Sequence, residues 1–380
     1  MILGNPVGNI MGNPFNLAPT AGDIVGGIGD IVPRATSPGG SFLKLNGAIL
    51  AKTDYPKLFD VLGQQGKLNS NLPTVNTTTF PPVAVAGVVF GGDGYYAVAN
   101  GNLSIYKSTD GSSWSVVAAG VFTVGGGWIS YANGALFAGE QNDRNTIKRS
   151  VDGGVSWTTI TVSLTTTYMS VVYAKGAYVL LTATSSGALR STDLITWVGA
   201  GSISGSFRSA AVGKGTIVVP GGSNNQVYTS IDGGASWVTS VLGAGNWSGS
   251  AFGNDIFMVT NRTNNTLYTS ADGLAWVAGT QPGSSVAGTL SFGDGLFYGM
   301  GGTGAVYTTL DGADWTLTNI SGGGSYAWGQ TTYGNYKFVA VTSSIFVGLA
   351  WDRFAYDPIL NFQIPTVLLQ NGLSAYVKAK

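Results

Sequence analysis

Cysteine and histidine are both missing from this chain of 380 residues. Without cysteine there is no disulfide framework and no thiolate metal site. Without histidine there is no histidine-dependent catalytic triad and no imidazole-bound metal. Glutamate occurs once, at Glu140. Charged residues of all kinds make up 9%, against about 25% in an ordinary soluble domain. The formal net charge is zero, so nothing points to nucleic acid or an anionic membrane as a partner. Long apolar runs are also missing, and none approaches the roughly 18 residues that span a bilayer. The most apolar stretches, such as Tyr178-Val179-Leu180-Leu181, are strand-sized and bounded by glycine or polar residues. No basic stretch followed by an apolar core opens the chain, so no secretory signal is expected. No metal, cofactor or membrane insertion is expected.

What is present is glycine, at 59 positions, with a mean hydropathy of +0.22. Above all there is repetition. Six times the chain writes Ser/Thr-x-Asp, usually followed by Gly, then Trp four or five residues after the Asp. The pairs are Asp110 and Trp114, Asp152 and Trp157, Asp193 and Trp197, Asp232 and Trp237, Asp272 and Trp276, and Asp311 and Trp315. Successive aspartates are 42, 41, 39, 40 and 39 residues apart. A period near 40, filled with short β-type runs and glycine turns, predicts propeller blades of four strands each. In the fifth unit the strands are expected over 247–252, 256–260 and 266–270, with Trp276 opening the fourth. The motif then forms the hairpin between the third and fourth strands. Its Asp accepts backbone N–H groups in the turn, Gly takes a positive φ, and Trp supplies apolar area to the blade. Leu194 replaces the Gly in the third copy, so that turn is expected to differ locally.

These motifs resemble the Asp-box, or BNR, repeats of sialidases and related propellers, over about residues 83–320. The resemblance implies a structural role for the six aspartates, each in its own blade's hairpin. After the sixth copy, 327–333 and 336–342 repeat the first- and second-strand patterns. Segments 344–348 and 351–356, with 77–82 pairing alongside, complete a degenerate seventh blade; a ring of six is the alternative. Closure would remove exposed sheet edges and bring the propeller's two ends together.

On one flank stands Phe42-Leu43-Lys44-Leu45-Asn46-Gly47-Ala48, then Thr53-Asp54-Tyr55-Pro56-Lys57-Leu58-Phe59. Thr53 or Asp54 is expected to cap a short helix, with Pro56 in its first turn and Leu58, Phe59 and Leu62 on its apolar face. On the other flank stands Asn361-Phe362-Gln363-Ile364-Pro365, and the chain closes on Ala375-Tyr376-Val377-Lys378-Ala379-Lys380. Together these resemble the tail-collar domain of bacteriophages, although Pro365-Thr366-Val367 departs from the collar's usual Pro-Asp-Leu. The expected fold is therefore all-β, a seven-bladed β-propeller (six Asp-box blades and one degenerate) inserted in a small α+β collar-like domain. Its parts are a Gly/Asn/Pro-rich arm at 1–40, the collar-like domain at 41–79 and 357–380, and the propeller at 80–356.

The collar resemblance implies a structural protein of a tailed-phage virion, a component of tail fibre, collar or head fibre. Residues 1–40 and the collar-like domain would contact other virion proteins, in a homo-oligomer such as a trimer. Residues 1–40 lack the composition for an autonomous core, leaving two readings: a disordered tail, or a docking arm ordered by its partners.

Binding is expected on the face opposite the Asp boxes. Tyr168, Phe207, Trp247 and Trp328 align at the start of first strands, with Trp128 two places further on. Nearby loops add Asn142, Arg144, Asn224, Asn225, Arg262, Asn264 and Asn265. Flat aromatics beside amide and guanidinium donors suit the sugar rings of a host-surface glycan; alternatively the aromatics plug the channel mouth. No catalytic residue is expected. Glycoside hydrolysis needs paired carboxylates, or a tyrosine nucleophile backed by an acid. The available acids are Glu140, Asp143, Asp255 and Asp294, and the arginines at 144, 149, 190, 208, 262 and 353 are scattered. A virion-borne glycan hydrolase and a purely architectural decoration protein stand as alternatives.

Overall fold

A computed structural model describes residues 31–34, 42–44, 49–55, 58, 75–76, 85–143, 145–162, 168–182, 187–201, 203–205, 207–222, 224–282, 290–301, 305–319, 328–342, 348–352, 361–363 and 374–378. The chain divides into two compact units, 1–71 with 353–380, and 72–352.

The larger unit is a β-propeller. Six antiparallel sheets, each of four consecutive strands, occupy 85–118, 126–161, 168–199, 211–241, 247–280 and 290–319, and we call them sheets 1 to 6. A further four-stranded sheet, sheet 7, joins Trp328–Gly334, Lys337–Thr342 and Gly348–Asp352 to Val75–Asn76 from the start of the unit. In sheets 1 to 6 the second strand is largely buried and the fourth is the most exposed. Ala177–Thr182 is buried throughout, whereas Val238–Val241 is mostly exposed. The innermost strands touch in order around the ring, and the innermost strand of sheet 7 touches that of sheet 1.

Apolar clusters fill the wedge between each sheet and the next. One joins Ala174 and Val179 of sheet 3 to Phe207, Ile217 and Val219 of sheet 4. Another joins Tyr95 and Ala97 of sheet 1 to Val339 and Val341 of sheet 7. Along the inner strands, aromatic rings lock into glycines. Phe252 sits against Gly213, Phe292 against Gly253, Tyr333 against Gly293 and Phe90 against Gly334, leaving no room for a Cβ at any of the four. Polar bonds add to this. The Gln330 side-chain oxygen accepts from Val88 N–H at 3.1 Å, and Thr332 Oγ1 accepts from Phe90 N–H at 3.0 Å.

The closing strand differs from expectation. It is Val75–Asn76, facing Leu349 and Gly348, and 77–82 lies outside the described residues. Gly348–Asp352 is the third strand of its sheet, where 344–348 and 351–356 were expected as two separate strands. Accordingly the unit runs from 72 to 352 rather than from 80 to 356.

In the smaller unit, strands from the two flanks pair. Ser374–Lys378 lies between Ile31–Arg34 and Phe42–Lys44, and Ile49–Ala51 pairs with Asn361–Gln363. Residues 31–34 therefore belong to a sheet rather than to an arm ending at residue 40; most of 1–40 lies outside the described residues. Of the expected helix, Leu58 is helical and buried. Thr53 and Asp54 form a turn, Asp54 N–H reaching Ala51 O at 3.2 Å, and Pro56, Phe59 and Leu62 lie outside the described residues.

Candidate ligand-binding face

The Asp boxes show how the sequence fixes each blade's last hairpin. Ser108 Oγ–H donates to Asp110 at 2.9 Å, and Asp110 accepts Ser112 and Ser113 N–H at 2.8 and 2.7 Å. The boxes at Asp152 and Asp232 are one residue longer. Their serines, Ser150 and Ser230, accept from Gly154 and Gly234 N–H, and each aspartate takes the N–H four residues on. Bonds from Ser156, hydroxyl and backbone, and from Ser150 hold the Asp152 carboxyl down at about 2. Partial burial works against the same effect at Asp232, but bonds from Ser236 and Ser230 still bring it to about 2. The third turn does not differ as expected. Leu194 adopts φ 63, and Ser191 and Asp193 make the usual bonds around it. The Leu194 side chain packs on the cluster between sheets 2 and 3, which offsets the left-handed backbone.

The box tryptophans reach back to the preceding sheet. Trp157 packs with Tyr96 and Ile105, Trp237 Nε1–H donates to Ala200 O at 2.6 Å, and Trp114 packs with Val339 and Val341. Trp197, Trp276 and Trp315 take the same position in their own clusters. These aspartates and tryptophans are occupied in holding the fold.

At the opposite end of the strands the predicted stacking platform is not formed by Trp128, Phe207 or Trp247. These are 4%, 2% and 0% exposed. Each is wedged between sheets rather than at the channel mouth: Trp128 between sheets 2 and 3, Phe207 between 3 and 4, Trp247 between 4 and 5. The physical cause lies partly in the strand. The pairing of the first two strands slips by a residue just after Trp247, as it does beside Trp128, and such a bulge re-aims the side chain. Trp247 Nε1–H then finds Gly243 O at 3.0 Å. Nothing is described of the Tyr168 and Trp328 side chains or of Arg144.

The predicted polar loops fare differently. Arg262 and Asn265 are exposed, and Asn225 is half-buried at φ 59. Asn225 Oδ1 accepts Gly245 N–H at 3.0 Å, tying two loops together. Gln281, nearly fully buried, donates to Asn261 O and Asn264 O at 2.7 and 3.0 Å. The 261–265 loop is therefore fixed from beneath.

Charge is unevenly distributed. Strands alternate in direction, so the box turns and the turns between first and second strands share one end. Most described acids of sheets 1 to 6 lie at that end, on box turns or at Asp93, Asp255 and Asp294, while Glu140 and Asp143 lie at the other. Lys214 pairs with Asp255 at 3.0 Å, and Lys107 with Asp93 at 2.8 Å. A cavity of about 260 Å³ opens beside Asp93, lined also by Gly91, Tyr131, Ser150 and Gly153. Its carboxylate is already committed to Lys107 and Tyr96. Glu140 accepts from Thr123 and Val124 N–H; burial raises its pKa, but these bonds prevail and hold it below the usual range. Asp143 accepts from Asn145 N–H and Thr146 Oγ1–H. Among the described residues no cluster of three possible metal ligands occurs.

Sequence reasoning passed over Arg208 as a site residue. It follows Phe207 in the segment leading into the first strand Ala211–Gly213, next to one of the aromatics singled out, and it is exposed.

This geometry defines the class: a β-propeller held by Asp-box hairpins, with its described acids concentrated at one end. No protein-family model matches the sequence, and no curated protein does. Among solved structures, virginiamycin B lyase from Staphylococcus aureus is similar at TM-score 0.62 and 11% identity, covering 75% of this chain and 99% of that one. YCF48 bound to D1 peptide gives 0.57 and 14%, covering 75% and 98%. The WD40 propeller domain of Doa1 gives 0.57 and 10%, covering 75% and 100%. At these identities the likeness is one of fold alone.

Proposed function

We propose that this chain is a structural, non-enzymatic protein of a tailed-phage virion, in which a seven-bladed propeller is inserted into a collar-like domain and displayed to bind a host-surface glycan. The observation that carries the reading is the pairing of Ile49–Ala51 with Asn361–Gln363. The first of these strands lies between the two collar-like stretches of one flank and the second within that of the other, and the whole propeller separates them in sequence. The count of seven is supported by sheet 7, whose innermost strand touches its neighbours on both sides. The non-enzymatic reading draws on Glu140 and Asp143. A general acid at neutral pH needs a raised pKa, whereas Glu140 is lowered, and both acids accept hydrogen bonds from their loops. Glycan binding now rests on the polar loops rather than on the aromatics.

The test is a density map of purified particles, with mass spectrometry of their protein content. The protein should be present in stoichiometric amounts, with its propeller projecting outward. Its absence from particles, or release of reducing ends from host polysaccharide by the pure protein, would overturn the reading.

A further inference from the structure

Arg208 and Arg262 belong to neighbouring sheets, but hydrogen bonds bring them to one place. Ser209 Oγ–H donates to Ser248 O at 2.7 Å and Ser209 also bonds Ser250, which sets Arg208 beside the start of the strand Trp247–Gly253. Arg262 N–H donates to Asn246 O at 2.7 Å. The two arginines thus bracket Asn246 to Ser248. Both are exposed, and neither is in the ion pairs found among the described residues. The described carboxylates of sheets 4 and 5 all lie at the box end: Asp232, Asp255 and Asp272.

We propose that Arg208 and Arg262 form an anion-recognising subsite, taking a carboxylate or sulfate group of an acidic polysaccharide. Two like charges held close repel one another, and an anion between them relieves the repulsion. Partial desolvation, and after it the Arg262 charge, lower the Arg208 pKa. Guanidinium groups present paired N–H donors that match the two oxygens of a carboxylate. The supporting backbone is fixed. Gly222 and Trp247 exchange bonds at 3.0 and 2.9 Å, and Asn261, fully buried, accepts Asn246 N–H at 3.1 Å. The backbone beneath the site is therefore preorganised, and ordering on binding is confined to the two arginine side chains.

This subsite rests on the glycan reading above and is tested apart from it, in solution. The probes are oligogalacturonate, the same oligomer fully methyl-esterified, a sulfated heparin oligosaccharide and a single-stranded oligonucleotide. Affinity is measured by titration at about 20 and about 200 mM salt. One or both acidic sugars should bind, the methyl ester at least about tenfold more weakly, and the affinity should fall with salt. The acid that binds better tells carboxylate from sulfate. R208Q and R262Q should each weaken binding by about fivefold or more, with the thermal midpoint unchanged because both side chains are exposed. R208K with R262K should recover only part, lysine lacking the paired donors. Equal binding of ester and acid, unaltered affinity in both glutamine variants, or tighter binding of the oligonucleotide would overturn the subsite. None of these outcomes bears on whether the protein is in the particle, and its absence from particles would leave this solution binding intact.

Discussion

A single carboxylate in each box does the work of a whole turn, and that has a pH signature. Asp152 and Asp232 sit at about 2, well below the roughly 4 of a carboxyl in the unfolded chain. Their stabilising bonds are therefore fully present above about pH 4 and fade as pH falls towards about 2. Thermal midpoints measured down that range should drop in the wild type, and more gently in Asp152→Asn, whose turn no longer titrates. The tryptophans differ by burial. Trp247→Ala, at a fully buried site, should destabilise by about 3–5 kcal/mol in chemical denaturation. Trp157→Ala should cost about 2–3 kcal/mol, since part of its indole already meets water.

Elements were legible wherever they repeat. The period near 40 located the box hairpins, and in the fifth sheet the expected strand 266–270 is Thr266–Ser270. Strand 256–260 is longer by one residue, Ile256–Asn261. The site was less legible. Alignment on the glycine turns found where first strands begin, yet it could not show the register slips that send Trp128 and Trp247 inward. A bulge is a property of two strands together, and no single stretch of sequence writes it. The closing strand was placed too late because Val75–Asn76 is two residues long, too short for any alternation to register. The aromatic-into-glycine lock was written in the sequence as Phe252-Gly253, Phe292-Gly293 and Tyr333-Gly334, but each ring meets a glycine of the preceding sheet. A Cβ at Gly293 would lie 1.8 Å from the Tyr333 ring. Gly293→Ala should accordingly destabilise by about 2–3 kcal/mol, and adding Tyr333→Leu should recover part of the loss. Denaturant midpoints of the two single variants and the double variant measure that coupling.

For the whole molecule, everything turns on how the ring is fastened. Val75 faces Leu349 across the sheet that combines strands from both ends of the propeller. The chain has no cysteine to interfere, so Val75→Cys with Leu349→Cys places one disulfide across the closure. If that pairing fastens the ring, oxidation should raise stability by about 3–5 kcal/mol over the reduced form. A ring complete without residues 75–76 would show no gain in thermal midpoint.

The pairing of Phe42–Lys44 with Ser374–Lys378 also sets a schedule. A ribosome makes the first of these strands about 330 residues before the second (Lys44 to Ser374). At about 5–20 residues per second, the early strand waits roughly 15–70 s for its partner to be synthesised. During that interval its backbone donors and acceptors are open to other chains, whereas each consecutive-strand blade can pair as soon as it emerges. Slowing elongation should lengthen the exposure of Phe42–Lys44 while leaving those blades almost untouched.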